Sequence, residues 1–220
     1  MNRKEKIQLL SSGLYCITAE EHSKGRTNIE TAALMLEAGV RILQYREKDK
    51  TKLDKYRDCM RLREMTAKRG ALFIVNDDAD LALAVQSDGV HIGQDDMPIE
   101  AVRSICGHDM IIGLSTHSPA QADDAVTRGA DYIGVGPIYR TFTKKNVCDP
   151  VGLEYLDYAV KNVRIPFVAI GGIKEHNLGE VLSRGARTVC LVTEITGAED
   201  IGGTVGRIRS MMGESALSHL

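Results

Sequence analysis

Asp77 and Asp96 each follow a run of β-forming residues, in ALFIVND and GVHIGQDD. Each has further acid beside it: Asp78 and Asp80 near Asp77, and Asp95 next to Asp96. An aspartate at a helix start usually serves as an N-cap, so Asp78 or Asp80 could cap the helix written in DLALAVQ. Pro98 after Met97 fits a first helical turn. One cap does not need two or three carboxylates. If the two runs are neighbouring strands, Asp77 and Asp96 could converge on one cation. A pair of oxygen ligands suits Mg²⁺, which keeps waters and takes substrate phosphates as further ligands. The chain lacks the His/Cys spacing of a zinc site, and His91, inside its run, reads as a packed, hydrogen-bonded histidine.

Cations and hydroxyls follow other runs. In QYREK, side chains alternate, so Gln44, Arg46 and Lys48 share one face. They form either a binding face or a solvated strand end. LSTHSP offers Ser115 and Thr116. Its His117 is either a base or an exposed loop residue, and Ser118 before Pro119 reads as an N-cap. GPIYRTFTKK supplies Thr141, Thr143 and Lys144, a set that suits phosphate through hydroxyls, backbone N–H groups and a point charge. AIGGI ends in Gly171 and Gly172, which let a backbone approach a ligand closely, or only make a tight turn. LVTEIT adds Thr193 and Thr196. There is no GxGxxG, P-loop or nucleophile elbow.

These residues need a scaffold that brings strand ends together. Strand candidates lie at 13–18, 41–46, 71–76, 89–93, 110–115, 131–136, 166–172 and 188–193, and helical patterns such as 28–39, 118–129 and 175–185 alternate with them. Several helices end in glycine two to four residues before the next strand. Strict alternation implies parallel strands with crossover helices. Eight such units in one α/β domain spanning 1–220 predict a single (β/α)₈ TIM barrel at the compact end of its size range, with chemistry at the C-terminal strand ends. An open doubly wound sheet is the alternative, and it lacks its glycine fingerprint. Residues 1–11 and 213–220 are expected to be loosely held ends.

Composition narrows the partners. Apolar residues are 43%, charged residues 26%, and the formal net charge is −2. No global basic field recruits nucleic acid or anionic lipid. Five dispersed cysteines without a CxxC pair read as reduced thiols of a cytoplasmic protein. No secretory signal and no membrane-length apolar stretch are visible. Small molecules are the expected partners, and a homo-oligomer is compatible with the chain.

Taken in order, QYREK, VNDDADLALA, DGVHIGQDD, GLSTHS, GADYIGVGPIYRTFTKK and VAIGGI resemble the thiamine-phosphate synthase (thiamine-phosphate pyrophosphorylase) family over nearly the whole chain. The resemblance implies a transferase of thiamine biosynthesis. It would condense 4-amino-2-methyl-5-pyrimidinylmethyl diphosphate with a thiazole monophosphate, or its carboxylate with loss of CO₂, giving thiamine phosphate and pyrophosphate. By the same resemblance, Gln44, Tyr45, Arg46, Glu47, Lys48, Asn76 and Lys144 contact the pyrimidine diphosphate. Asp77 and Asp96 hold Mg²⁺, and Ser115 meets the pyrimidine or its diphosphate. Thr141, Phe142, Thr143, Gly172, Val192 and Thr193 hold the thiazole phosphate. Arg46, Lys48, Lys144 and Ser115 are the expected catalytic groups. Fixed positive charge assists diphosphate departure, and no protein nucleophile is required. The chain departs from the family pattern at Arg140, usually proline, at Thr193, usually serine, and at Glu194, usually a small residue. A thiazole tautomerase of the same superfamily, using a base such as His117, is the alternative. A precursor-binding protein without catalysis is a third reading.

Overall fold

The structure is a computed structural model, and it describes residues 1–143 and 148–213. Strands β1 (Gly13–Ile17), β2 (Ile42–Tyr45), β3 (Leu72–Asn76) and β4 (Gly89–Ile92) are followed by β5 (Ile111–Thr116), β6 (Tyr132–Val135), β7 (Phe167–Ile170) and β8 (Thr188–Cys190). They pair in parallel and in sequence order, and β8 closes onto β1. This is the (β/α)₈ barrel that the alternation predicts. Each strand lies inside its sequence-predicted run or ends within a residue of it. Thr193 is the exception in kind: β8 stops at Cys190, and Thr193 opens a short helix.

Helices α2 (Asn28–Glu37), α3 (Lys52–Lys68), α4 (Ala79–Ala84), α5 (Ile99–Cys106) and α6 (Pro119–Thr127) cover the first strands. Helices α7 (Gly152–Asn162), α8 (Glu175–Ser183), α9 (Thr193–Thr196) and α10 (Ile201–Met211) complete the shell. Ser118 caps α6 as expected, accepting from the Gln121 N–H. Asp78 stands at the N-cap of α4 but makes no capping bond. Its carboxylate instead meets Lys52 at 2.7 Å, and Asp80 meets the same ammonium at 2.9 Å.

Alternation along the strands splits the core in two. Leu43, Phe73, Val75, Val90, Ile112, Leu114, Ile133 and Val135 face the helices. Tyr15, Ile42, Leu72, Ile74, Ile111, Tyr132, Val168 and Cys190 fill the barrel. Such layered interior packing makes the barrel a solid platform for its rim.

The N-terminus is not a loose end. Residues Arg3–Leu9 form α1, whose capping box joins Asn2 and Glu5. Ile7, Leu9 and Leu10 pack on the barrel interior from the N-terminal side. Two buried aspartates just before β4 and β6 anchor this helix. Asp131 holds Arg3 at 2.5 Å and Arg103 at 2.7 Å, and accepts the Ile112 N–H at 2.8 Å. Asp88 holds Arg63 at 2.7 Å and Lys6 at 3.5 Å, and accepts the Phe73 N–H at 3.0 Å. Asp131→Ala strands a buried N–H and an arginine together. It is expected to cost about 3 kcal/mol of folding free energy in urea denaturation. A cost below about 1 kcal/mol would mean that α1 and the Ile112 amide find other partners. Residues 214–220 lie outside the described set. Among the described residues, no helix is long and apolar enough to cross a membrane.

Candidate active site

The C-terminal strand ends gather three groups of side chains. The first lies over β2, β3 and β4. Lys48, just past β2, is paired with Asp77, just past β3. Asp96, past β4, lies within hydrogen-bond reach of Asp77. Asp77 takes a left-handed backbone, φ 61°, in a non-glycine residue, a conformation kept where surrounding structure demands it. Its N–H donates to the His91 carbonyl at 2.8 Å, which ties the β3 end to β4. Asp96 is exposed as a residue, yet one carboxyl oxygen folds back to accept the Gly93 N–H at 2.7 Å. Partial burial of that carboxyl, and then the adjacent Asp77 charge, raise its pKa. Two carboxylates facing each other beside a single lysine are short of positive charge. The donor set is all oxygen, so the residues fit a hard divalent cation such as Mg²⁺. Among the described residues, no cluster of three or more ligating side chains offers a complete metal cage.

The second group rises from the β2 loop. Arg46 follows the end of β2, and its Nε is buried without a hydrogen-bond partner among the described residues. A buried guanidinium N–H with no acceptor points to an anion as its counterpart. Tyr45 takes the opposite parity to Gln44 on β2, and Glu47 lies past the strand end. Tyr45 is buried in the helix shell, and its hydroxyl donates to Asp58 at 3.1 Å. Glu47 accepts from the N–H groups of Lys48 at 2.8 Å and Asp49 at 3.0 Å, and from Asn28 Nδ2 at 3.0 Å. Burial raises its pKa, but these hydrogen bonds outweigh that and hold it below the usual value. Both residues brace the β2 loop through these contacts. Lys144 lies outside the described residues.

The third group spans β6, β7 and β8. Past β6 the chain pairs with the end of β7: the Ile138 N–H donates to the Ile170 carbonyl and the Tyr139 N–H to the Gly171 carbonyl, both at 2.9 Å. This brings Thr141 and Thr143 to the rim with their hydroxyls 3.1 Å apart. Phe142, between them, is 80% exposed, with the Arg140 guanidinium 5.5 Å from its ring centre. It turns to solvent, not inward. Gly172, Val192 and Thr193 lie at the β7 and β8 ends. Sequence reasoning passed over Lys174, whose Nζ lies 2.9 Å from Thr193 Oγ1 and 3.0 Å from Glu194. Glu194 also accepts the Glu175 N–H at 3.1 Å, at the start of α8. Burial raises its pKa, and these two contacts more than offset that. The unusual acid is thus neutralised by Lys174 and the helix start, and its charge is not left facing an anion.

Ser115 occupies the centre, at the end of β5, and the Gln94 amide donates to its carbonyl at 2.7 Å. His117 Nδ1 donates to the Gly136 carbonyl at 2.6 Å. That ring is a strut between β5 and β6, which removes one nitrogen from any role as a base.

The thiamine monophosphate synthase model matches residues 14–195. That span is most of the chain and includes all three groups. The chain belongs to the thiamine monophosphate synthase family. A thiamine-phosphate synthase of Pelotomaculum thermopropionicum is 60% identical over 93% of this chain and 94% of its own length. One from Caldicellulosiruptor saccharolyticus is 50% identical over 97% of both. A solved thiamine phosphate pyrophosphorylase of Pyrococcus furiosus superposes with a TM-score of 0.86 at 36% identity, covering 94% of this chain and 98% of that one. As a thiamine monophosphate synthase the chain is an enzyme, a transferase of thiamine biosynthesis. The tautomerase alternative finds no support in these relatives, and the fixed His117 ring does not favour it either.

Proposed function

We propose that the chain joins a pyrimidinylmethyl diphosphate to a thiazole monophosphate and releases pyrophosphate, with Mg²⁺ as its metal. The observation that carries this is the facing pair Asp77 and Asp96 beside Lys48, with the unpartnered Arg46 Nε on the next strand. Carboxylates and cations side by side suit a diphosphate that shares a divalent ion. Asp77 and Asp96 would hold that ion, which neutralises charge developing on a leaving diphosphate. Arg46 and Lys48 supply further fixed positive charge, and the family resemblance implies the same role for Lys144. Asn76 at the β3 end and Gln44 on β2 are the remaining pyrimidine-side residues of this reading. Thr141, Thr143, Gly172, Val192 and Thr193 receive the thiazole phosphate, with Lys174 at Thr193 keeping the Glu194 charge balanced. Ser115 lies between the two halves. The protein's part is to hold both partners in line and to balance charge.

The test is incubation of the pyrimidine diphosphate and thiazole phosphate with the purified protein, with and without Mg²⁺. Pyrophosphate release is expected only when both substrates and the metal are present. Release with the pyrimidine diphosphate alone would make the protein a hydrolase. Undiminished release under chelation would remove the metal from the proposal.

A further inference from the structure

A hydrogen-bond chain crosses the barrel interior, from β2 through β1, β6 and β4 to β5. Gln44 Nε2 lies 2.8 Å from the Tyr15 hydroxyl, and that hydroxyl lies 3.0 Å from the Tyr132 hydroxyl. Tyr132 is 3.0 Å from His91 Nδ1, and His91 Nε2 is 2.9 Å from Ser115 Oγ. Tyr15 and Tyr132 are almost fully buried, and Gln44 is 2% exposed. Gly113 makes room for the crossing, since a Cβ there would stand 2.2 Å from the Tyr132 ring and 2.5 Å from His91 Nδ1.

We infer that this chain is proton-ordered from Gln44 to Ser115, so that His91 is held as its Nε2–H tautomer and Ser115 donates its own proton toward the substrate. The inference deepens the synthase reading and rests on it for the identity of that substrate. The ordering follows from what each group can give. An amide NH₂ only donates, so Tyr15 must accept from Gln44 and direct its proton to Tyr132. Tyr132, having accepted, gives its proton to His91 Nδ1. With Nδ1 an acceptor, a neutral imidazole carries its proton on Nε2 and donates it to Ser115 Oγ. The Ser115 proton is then free for the mouth. Burial keeps both phenols protonated, so no link loses its hydrogen. The direction matters chemically. Run the other way, His91 Nε2 would accept from Ser115, as a base beside a nucleophile. Run this way, Ser115 is a fixed hydrogen-bond donor and cannot be activated by His91. Tyr15, Tyr132 and His91 are positioning residues that act through Ser115.

The decisive measurement is the ¹⁵N shifts of the His91 ring in the wild-type protein, assigned by their loss in His91→Gln. A protonated Nε2 and an unprotonated Nδ1 are expected; the opposite tautomer overturns the ordering. Gln44→Met, which removes the donor at the head of the chain, is expected to give a mixture of tautomers. If it leaves the Nε2–H form pure, Gln44 does not set the direction. A kinetic cycle adds a second arm. Ser115→Ala and Tyr132→Phe are each expected to lower kcat about tenfold, the loss of one oriented hydrogen bond. The double variant should fall no further than Ser115→Ala. Multiplying losses would mean that Tyr132 acts independently of Ser115, which rejects the relay. The two readings fail separately. A wild type that turns over both substrates but shows Nδ1–H refutes the relay alone. One that shows Nε2–H without turnover refutes the synthase chemistry alone.

Discussion

Asp77→Ala and Asp96→Ala are each expected to lower kcat/KM by about 10²–10³-fold at fixed Mg²⁺, and to raise the Mg²⁺ concentration needed for half-maximal rate. The size follows from asking one carboxylate to do the work of two in binding a hard cation. The structure adds a second, opposite effect. Asp96 carries a raised pKa because its carboxyl is partly buried and faces Asp77. A carboxyl whose folded pKa is raised binds its proton more tightly when folded. Stability is therefore lost as pH rises from the unfolded pKa through the folded one. At neutral pH without metal, ionised Asp96 weakens the fold. Asp96→Asn keeps an oxygen for the Gly93 N–H and removes the repulsion, so its Tm in chelator should rise above wild type while turnover collapses. Added Mg²⁺ should raise the wild-type Tm and leave that of the variant nearly unmoved. Full turnover in either alanine variant, or equal Mg²⁺ stabilisation of wild type and Asp96→Asn, would take the metal from these residues.

The barrel was legible because its signals are local. Strand runs, glycine stops and caps each depend on a few neighbours, and strict alternation leaves parallel closure as the economical arrangement. The two-residue period also separates Gln44, bonded to Tyr15 inside the barrel, from Tyr45, packed among the helices. A continuous family segment such as this carries both faces of a strand, which a sequence match does not tell apart. Phe142 stands between Thr141 and Thr143 with its ring in solvent, an orientation that the sequence alone does not fix.

What stayed hidden is long-range. Tyr15 and Tyr132 are 117 residues apart, and Tyr132 and His91 are 41 apart. Only barrel register brings them within hydrogen-bond reach, although His91 was readable as a packed, hydrogen-bonded ring. The N-terminal segment read as a loosely held end because its partners, Asp88 and Asp131, precede strands far along the chain. Glu194 looked hostile to phosphate because a sequence shows a charge without its counter-ion, Lys174. In each case the chemistry of the residue was visible and its neighbour was not.

Gly172→Ala is expected to raise KM for the thiazole phosphate about 10²-fold and to leave pyrimidine diphosphate binding close to wild type. Gly172 has φ 64°, and a Cβ there would lie 2.5 Å from the Arg140 carbonyl oxygen and 2.8 Å from Tyr139 Cβ. Neither neighbour is the free end of a flexible side chain. The Arg140 oxygen is backbone, and Tyr139 is tied by its N–H to the Gly171 carbonyl at 2.9 Å and by its hydroxyl to Glu180 at 3.0 Å. The added methyl must therefore push the segment that delivers Thr141 and Thr143, or twist the β7 end itself. Either movement spreads the phosphate side of the mouth. The carboxylate pair over β3 and β4 lies across the barrel and keeps its geometry. Stability should fall as well, by about 1–3 kcal/mol, from overpacking and an unfavourable φ. A split between the two substrates is the informative result, because general unfolding would depress both. If isothermal titration finds the two affinities equally weakened, Gly172 supports the whole barrel. If it finds neither changed, the thiazole phosphate does not lie against this turn.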